Sequence, residues 1–123
     1  MVKLVFVIRR RADISPEEFH RYWLEQHGPL ARELLESLGA RRYVQTHTLD
    51  SDLNAALAAS RETTEAYDGL AEIWWDSLDA FVAASTSEEG QRANQTLTED
   101  EARFIDFERS SLFLTEEHPV IAG

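Results

Sequence analysis

Residues 3–19 read Lys-Leu-Val-Phe-Val-Ile-Arg-Arg-Arg-Ala-Asp-Ile-Ser-Pro-Glu-Glu-Phe, and the two halves of that stretch follow different periodicities. The unbroken Leu4–Ile8 run is that of a strand covered on both faces in a central sheet position, expected from Lys3 to Arg9. Past the basic end, Ser15 is an N-cap and Pro16 takes the first helical position. Glu18 completes a capping box, and Ile14 can staple against Phe19. The helix opened in this way is expected to run to about Leu38, where Gly39 supplies a left-handed stop.

Within that helix, Phe19-His-Arg-Tyr-Trp-Leu-Glu-Gln-His-Gly-Pro-Leu30 carries the chemical content. At helical spacing Phe19, Trp23, His27, Leu30, Leu34 and Leu38 share one face, while Glu17, Arg21, Glu25, Arg32 and Glu36 occupy others. His27 is therefore expected to point inward. Pro29 removes the amide that would bond the carbonyl of Glu25 and disfavours helical geometry at Gly28, so a kink beside the histidine should open a small polar notch in an apolar wall. Packed between Trp23 and Leu30, the imidazole is partly desolvated, which favours the neutral form and leaves one nitrogen free to take a proton near neutral pH. The alternative is a core histidine hydrogen-bonded to backbone.

The rest of the chain alternates strand and helix signals. Residues 41–48 alternate as a strand, with Tyr43, Gln45 and His47 on one face and Val44 on the other. Asp50 to Ser60 reads as a short alanine-rich helix and Arg61 to Gly69 as a polar loop, a connection long enough to border a cavity entrance as a lid. Leu70–Trp75 is the third strand, and Asp76 or Ser77 caps a second amphipathic helix through Leu78, Phe81 and Val82. Thr98-Glu-Asp-Glu101 has the form of a capping box opening a short turn of helix, and residues 104–114 provide the last strand.

The order β-α-β-(short α)-β-α-β is that of an α+β, ferredoxin-like split βαβ protomer: a four-stranded antiparallel sheet with both main helices on one face. Its other face is left bare. Lys3, Val5 and Val7 alternate with Leu4, Phe6 and Ile8, and Leu70, Glu72 and Trp74 alternate with Ala71, Ile73 and Trp75, so both faces of the central strands are substantially apolar. A patch of that size marks an interface, and a homodimer packed sheet to sheet is expected. Glu72 reads as a buried dimer-interface carboxylate, paired with an arginine or hydrogen-bonded at the barrel, rather than as a catalytic acid.

A chain of 123 residues suits one domain over residues 1–123. It has no cysteine, which excludes disulfides, thiolate nucleophiles and Cys-based metal centres. A net charge of −11 repels phosphate backbones and anionic membranes, so neither a nucleic-acid nor a membrane partner is expected. The basic clusters Arg9–Arg11 and Arg41–Arg42 read as solvated strand ends. No bilayer-length apolar run or signal peptide is present, which points to the cytoplasm. Glu17-x-x-His20 is a lone copy of a di-iron spacing, so no metal is expected. Phosphate loops, hydrolase elbows and heptads are absent, and no cofactor is expected.

A set of motifs in fixed order carries a further reading: Pro16-Glu-Glu-Phe19, Tyr22-Trp23, His27-Gly-Pro-Leu30, Arg42-Tyr-Val-Gln45, Gly69-Leu-Ala-Glu-Ile-Trp74, Asp100-Glu-Ala-Arg-Phe-Ile-Asp106 and Glu116-Glu-His118. By these the chain resembles, over almost its whole length, the EthD-like proteins of the dimeric α+β barrel superfamily. The resemblance implies the same protomer and the same sheet-to-sheet dimer, without implying one reaction. Relatives resemble dehydratases, decarboxylases, cyclases or isomerases of aromatic and polyketide-type compounds, and the wider superfamily includes cofactor-free monooxygenases. His27 matches the helix histidine of EthD-like and muconolactone-methylisomerase-like members. Tyr67 is similar in register to a tyrosine of the superfamily's plant polyketide cyclase, which implies a hydrogen-bond donor to a developing oxyanion. That cyclase's first-strand histidine is replaced by Leu4, its histidine after the second main helix is unmatched at Ser85-Thr86-Ser87, and the isomerase's cysteine falls at Ile73.

The expected function is a small cofactor-independent lyase or isomerase acting on an apolar, aromatic or polyketide-like molecule. His27 would be its general base and Tyr67 its oxyanion donor. Tyr22, Trp23, His47 and Trp75 are the expected substrate-binding residues, the two tryptophans as aromatic walls. The alternatives are a non-catalytic binding or accessory protein for a partner oxidase, and a cofactor-free monooxygenase.

Overall fold

The computed structural model describes all 123 residues. Strand β1 (Val2–Ile8) leads into α1 (Pro16–Tyr22), a π turn (Trp23–His27) and α2 (Gly28–Ser37); β2 (Arg42–His47), α3 (Leu53–Arg61), β3 (Gly69–Trp75), α4 (Leu78–Thr86), α5 (Glu88–Glu101) and β4 (Ser111–Thr115) follow. The strands pair antiparallel in the order β2-β3-β1-β4, the ferredoxin-like arrangement. Leu4 lies opposite Ile73 and Leu114, and Phe6 opposite Ala71 and Leu112. Tyr43 and Gln45 on β2 face Ile73 and Ala71. This register puts Leu4, Phe6, Ala71, Ile73, Tyr43 and Gln45 on the helix-covered face.

At the first helix Ser15 Oγ accepts the Glu18 amide at 3.1 Å, the N-cap half of the expected capping box, with no return bond from the Ser15 amide to the Glu18 carboxylate; Ile14 packs against the cluster containing Phe19, and Gly39 closes the helix at φ 88°. The expected kink is replaced by the π turn. The Gly28 N–H reaches the Trp23 carbonyl, five residues back, so an extra residue absorbs the missing Pro29 amide without ending the helix. That residue also shifts the buried stripe. Beyond His27 the core positions are Ala31 and Leu35, while Leu30, Leu34 and Leu38 are only half-buried.

Three further expectations are corrected. Thr98–Glu101 opens no helix; it is the last turn of α5, whose cap is Ser87, accepting the Gly90 amide at 2.9 Å. Helix α5 escapes periodicity because it buries the small residues Gly90 and Ala93. A Cβ on Gly90 would stand 1.7 Å from the Ala84 carbonyl oxygen, so the approach of α5 to α4 requires glycine. The last strand is only Ser111–Thr115, because Phe104 and Ile105 are buried in the preceding loop and Phe107 stacks on Phe6 at 6.4 Å. Arg9 is not solvated. It lies 3.8 Å over the Tyr67 ring and donates to the carbonyls of Glu65 and Ala66.

The second sheet face carries Val5, Val7, Leu70, Trp74 and the half-exposed Phe113 around one ion pair. Glu72 is paired there with Lys3 at 2.7 Å rather than with an arginine. No helix is long and apolar enough to cross a membrane.

Candidate functional site

Between the helices and the inner sheet face lies a cavity of about 330 Å³. Its floor is Leu4, Phe6, Ile8, Ala71, Ile73 and Trp75, and its roof comes from α2, α4 and α5. Exposed Ser85, Asn94, Thr98 and Leu112 mark its mouth, between α4–α5 and β4. Residues 50–69 line none of it, so the long connection is not a lid over this cavity.

The π turn delivers His27 into this space, 4% exposed. Its Nδ1 is 2.7 Å from Asp100 Oδ2, and the other oxygen of Asp100 accepts the Tyr22 hydroxyl. A carboxylate that takes both bonds is an acceptor, so Nδ1 carries the imidazole proton and Nε2 presents a lone pair. That Nε2 is 3.7 Å from Glu101 Oε2. Burial pushes His27 below its ordinary 6.5 against the opposing pull of Asp100. Burial, reinforced by the neighbouring Asp100 charge, raises Glu101 to about 7. The pair is thus a neutral imidazole beside a carboxyl poised to hold or release a proton near neutrality.

A second polar track runs along the inner face of β2. Gln45 Nε2 donates to the Trp23 carbonyl and to the Tyr43 hydroxyl, each at 2.9 Å, and Gln45 Oε1 accepts from His47 Nε2 at 2.7 Å. The His47 Nδ1 then accepts from His20 Nδ1 at 2.8 Å. Burial lowers both histidines and raises Tyr43. Because Tyr43 receives the Gln45 bond, its own hydroxyl hydrogen is free for a ligand, and its ring lines the cavity.

Of the residues singled out in the sequence, His27, Trp23 and Trp75 line the cavity. Tyr22 sits behind His27 as a second donor to Asp100 and faces an outer depression instead. His47 stacks on the far side of Trp23, with ring centroids 4.3 Å apart. Tyr67 is outside, under Arg9. Asp100, Glu101 and Tyr43 were not singled out. The signal available for the first two was the acidic run Glu99-Asp100-Glu101 ending three residues before the apolar Phe104-Ile105.

The family model of the EthD domain matches residues 11–108. Among curated proteins, the dehydratase ustZ of Ustilaginoidea virens is 25% identical over 108 residues, covering 85% of this chain and 75% of that protein. An EthD family protein of Bacillus halodurans superposes with a TM-score of 0.64 at 20% identity, over 96% of this chain and 99% of that one. A dimeric ferredoxin-like protein of unknown function from Bacteroides fragilis gives 0.53 at 16% identity, over 94% and 95% of the two chains. These structures are similar in fold.

Proposed function

The chain belongs to the EthD domain family, and on that footing we propose that it is a cofactor-independent lyase or isomerase, with dehydration of a small apolar carbonyl compound as its reaction. The observation that carries this reading is the His27–Glu101 pair, 3.7 Å apart in a mostly apolar cavity whose other polar side chains are Tyr43 and, at the mouth, Ser85, Asn94 and Thr98. The dehydratase name of the relative ustZ agrees with it.

In that reaction His27 Nε2 removes a proton from the carbon next to the carbonyl, and Tyr43 donates a hydrogen bond to the oxygen that gains charge. The C–H electron pair becomes the new double bond as the neighbouring C–O bond breaks. Glu101 gives its proton to the departing hydroxyl, which leaves as water. The imidazolium then returns its proton to the Glu101 carboxylate, restoring both groups. Asp100 and Tyr22 take no proton; they hold the imidazole in the tautomer with Nε2 free. The apolar second sheet face, where Phe113 is exposed and Val7 and Leu70 are half-buried beside the buried Val5 and Trp74, supports a homodimer as the working form.

The test uses a β-hydroxy aryl ketone, whose dehydration gives an absorbing enone, together with exchange of its α-protons into D₂O. His27→Gln should lower both rates by about 10²–10⁴-fold in a protein that melts as the wild type does. Retained rates in a folded His27→Gln protein would overturn the base role and leave a ligand-holding protein.

A further inference from the structure

Strand β2 carries polar residues at its inward positions, Tyr43, Gln45 and His47, where β1 carries Leu4, Phe6 and Ile8 and β3 carries Ala71, Ile73 and Trp75. Their hydrogen bonds run in one direction. The Trp23 carbonyl can only accept, so the group that Gln45 turns to it, at 2.9 Å, is the amide nitrogen. The second hydrogen of that nitrogen goes to the Tyr43 hydroxyl, also at 2.9 Å, and the amide oxygen accepts from His47 Nε2 at 2.7 Å. Burial holds His47 and His20 toward the neutral form. His47 therefore has its proton on Nε2 and accepts at Nδ1 from His20 Nδ1, 2.8 Å away. Stacking on Trp23, with ring centroids 4.3 Å apart, keeps the His47 imidazole in that plane.

The direction matters because a tyrosine hydroxyl opposite an amide can take either role. Facing the amide nitrogen it accepts, and its hydrogen stays available to the cavity that Tyr43 lines. Facing the amide oxygen it would spend that hydrogen on Gln45 and show the cavity lone pairs alone. A hydroxyl that accepts one bond also donates a stronger one. Burial raises Tyr43 and the bond from Gln45 opposes the rise, the sign of a donor onto the phenol oxygen.

We propose that Gln45 is a positioning residue. Pinned between the Trp23 carbonyl and His47, its amide holds Tyr43 as a donor, so the cavity takes its ligand by an oxygen that accepts a hydrogen bond, a carbonyl able to become an enolate. His47 sets that polarity from behind the site, and His20 fixes the tautomer of His47. The same amide is tied to the π turn that carries His27, so base and donor share one support. The inference rests on the proposed reaction for the ligand carbonyl that Tyr43 meets; the direction of the chain does not depend on it.

Two measurements test it. The first needs no ligand: imidazole ¹⁵N spectra in mild alkali, with signals assigned through His47→Gln and His20→Gln, should show His47 protonated on Nε2 and His20 on Nδ1. A His47 protonated on Nδ1 would mean a reversed amide and would overturn the inference. The second uses an acetylnaphthalene labelled with ¹³C at its carbonyl. Bound to the wild type, that carbonyl should resonate downfield of its position in an apolar solvent. Tyr43→Phe should abolish the displacement and weaken binding by about tenfold, the worth of one good hydrogen bond. Gln45→Glu should do the same in a protein that still binds the probe. Its carboxyl carries at most one hydrogen where the amide carries two; the Trp23 carbonyl claims it, and Tyr43 must turn its own hydrogen to the new side chain. An undisplaced resonance in the bound wild type, a displacement that survives Tyr43→Phe, or one that survives Gln45→Glu would each overturn the inference, the last being what a merely structural tie predicts. Should Gln45→Glu fail to fold, the imidazole spectra decide. Absence of probe binding would overturn the inference together with the ligand cavity. Exchange of the probe's methyl protons into D₂O reports separately on His27, so absent exchange with a Gln45-dependent displacement would refute the reaction alone.

Discussion

Glu101→Gln should make the protein more stable in mild alkali while stopping its turnover. The Glu101 carboxyl is raised from its ordinary 4.5 to about 7, by burial first and by the Asp100 charge second. Between those two values the folded chain keeps a proton that the unfolded chain has released, so stability falls as pH rises through that window and levels off above it. At 1.36 kcal/mol per pH unit the penalty reaches about 3 kcal/mol by pH 8 or so. Glutamine is neutral throughout and escapes it. Its amide must still find partners beside His27 and Asp100, so the net gain expected is about 1–3 kcal/mol near pH 8 and close to zero near pH 5. For a chain of this length that is roughly 4 °C of melting temperature per kcal/mol. His27 works in the opposite direction: its depressed value removes stability as pH falls below 6.5, so the alkaline limb is the one that reports on Glu101. The assay is therefore a difference, wild type against variant, from thermal and urea melts across that pH range at one protomer concentration. A stability difference that does not change with pH would refute the claim that Glu101 is held protonated.

Turnover should follow a bell against pH, rising as His27 loses its proton below 6.5 and falling as Glu101 ionises near 7; both limbs belong to the coupled pair, and a rate flat across neutrality would refute the assignment. Gly90→Ala should cost more than about 3 kcal/mol in urea unfolding, because the new methyl meets the Ala84 carbonyl oxygen at 1.7 Å and the carbonyl carbon at 2.8 Å. A loss below about 1 kcal/mol would mean that α4 and α5 are not in that contact. Leu70→Glu, on the bare face opposite Val7, should give a folded monomer by light scattering, and an unchanged dimer mass would refute the sheet-to-sheet interface.

The elements that the sequence discloses are those whose determinants are local. Ser15-Pro16 with Glu18 specifies a helix start within four residues, and the Leu4–Ile8 and Leu70–Trp75 runs need only their neighbours to become central strands. The π turn depends on distant groups: Pro29 withholds an amide, and Gln45, on another element, adds a second bond to the Trp23 carbonyl. The start of α5 was hidden because its inward positions are glycine and alanine, which carry almost no hydrophobic signal. The Thr98-x-x-Glu101 pattern then imitated a helix beginning where one ends. His27 was legible because a polar residue stood in an apolar stripe. Asp100, Glu101 and Tyr43 become a site only when α5, the π turn and β2 meet. Tyr67, singled out by its likeness in register to a cyclase tyrosine, does not line this cavity; its ring lies under the Arg9 guanidinium.

The spacing of His27 and Glu101 has a stereochemical consequence. Groups 3.7 Å apart on one wall can reach only one face of a flat molecule lying across the sheet. The hydrogen that His27 takes and the hydroxyl that Glu101 releases must therefore leave from the same side, so a dehydration run by this pair is a syn elimination. A substrate carrying deuterium stereospecifically beside its carbonyl would lose the label from one epimer and keep it in the other, and the new double bond would form with a single geometry.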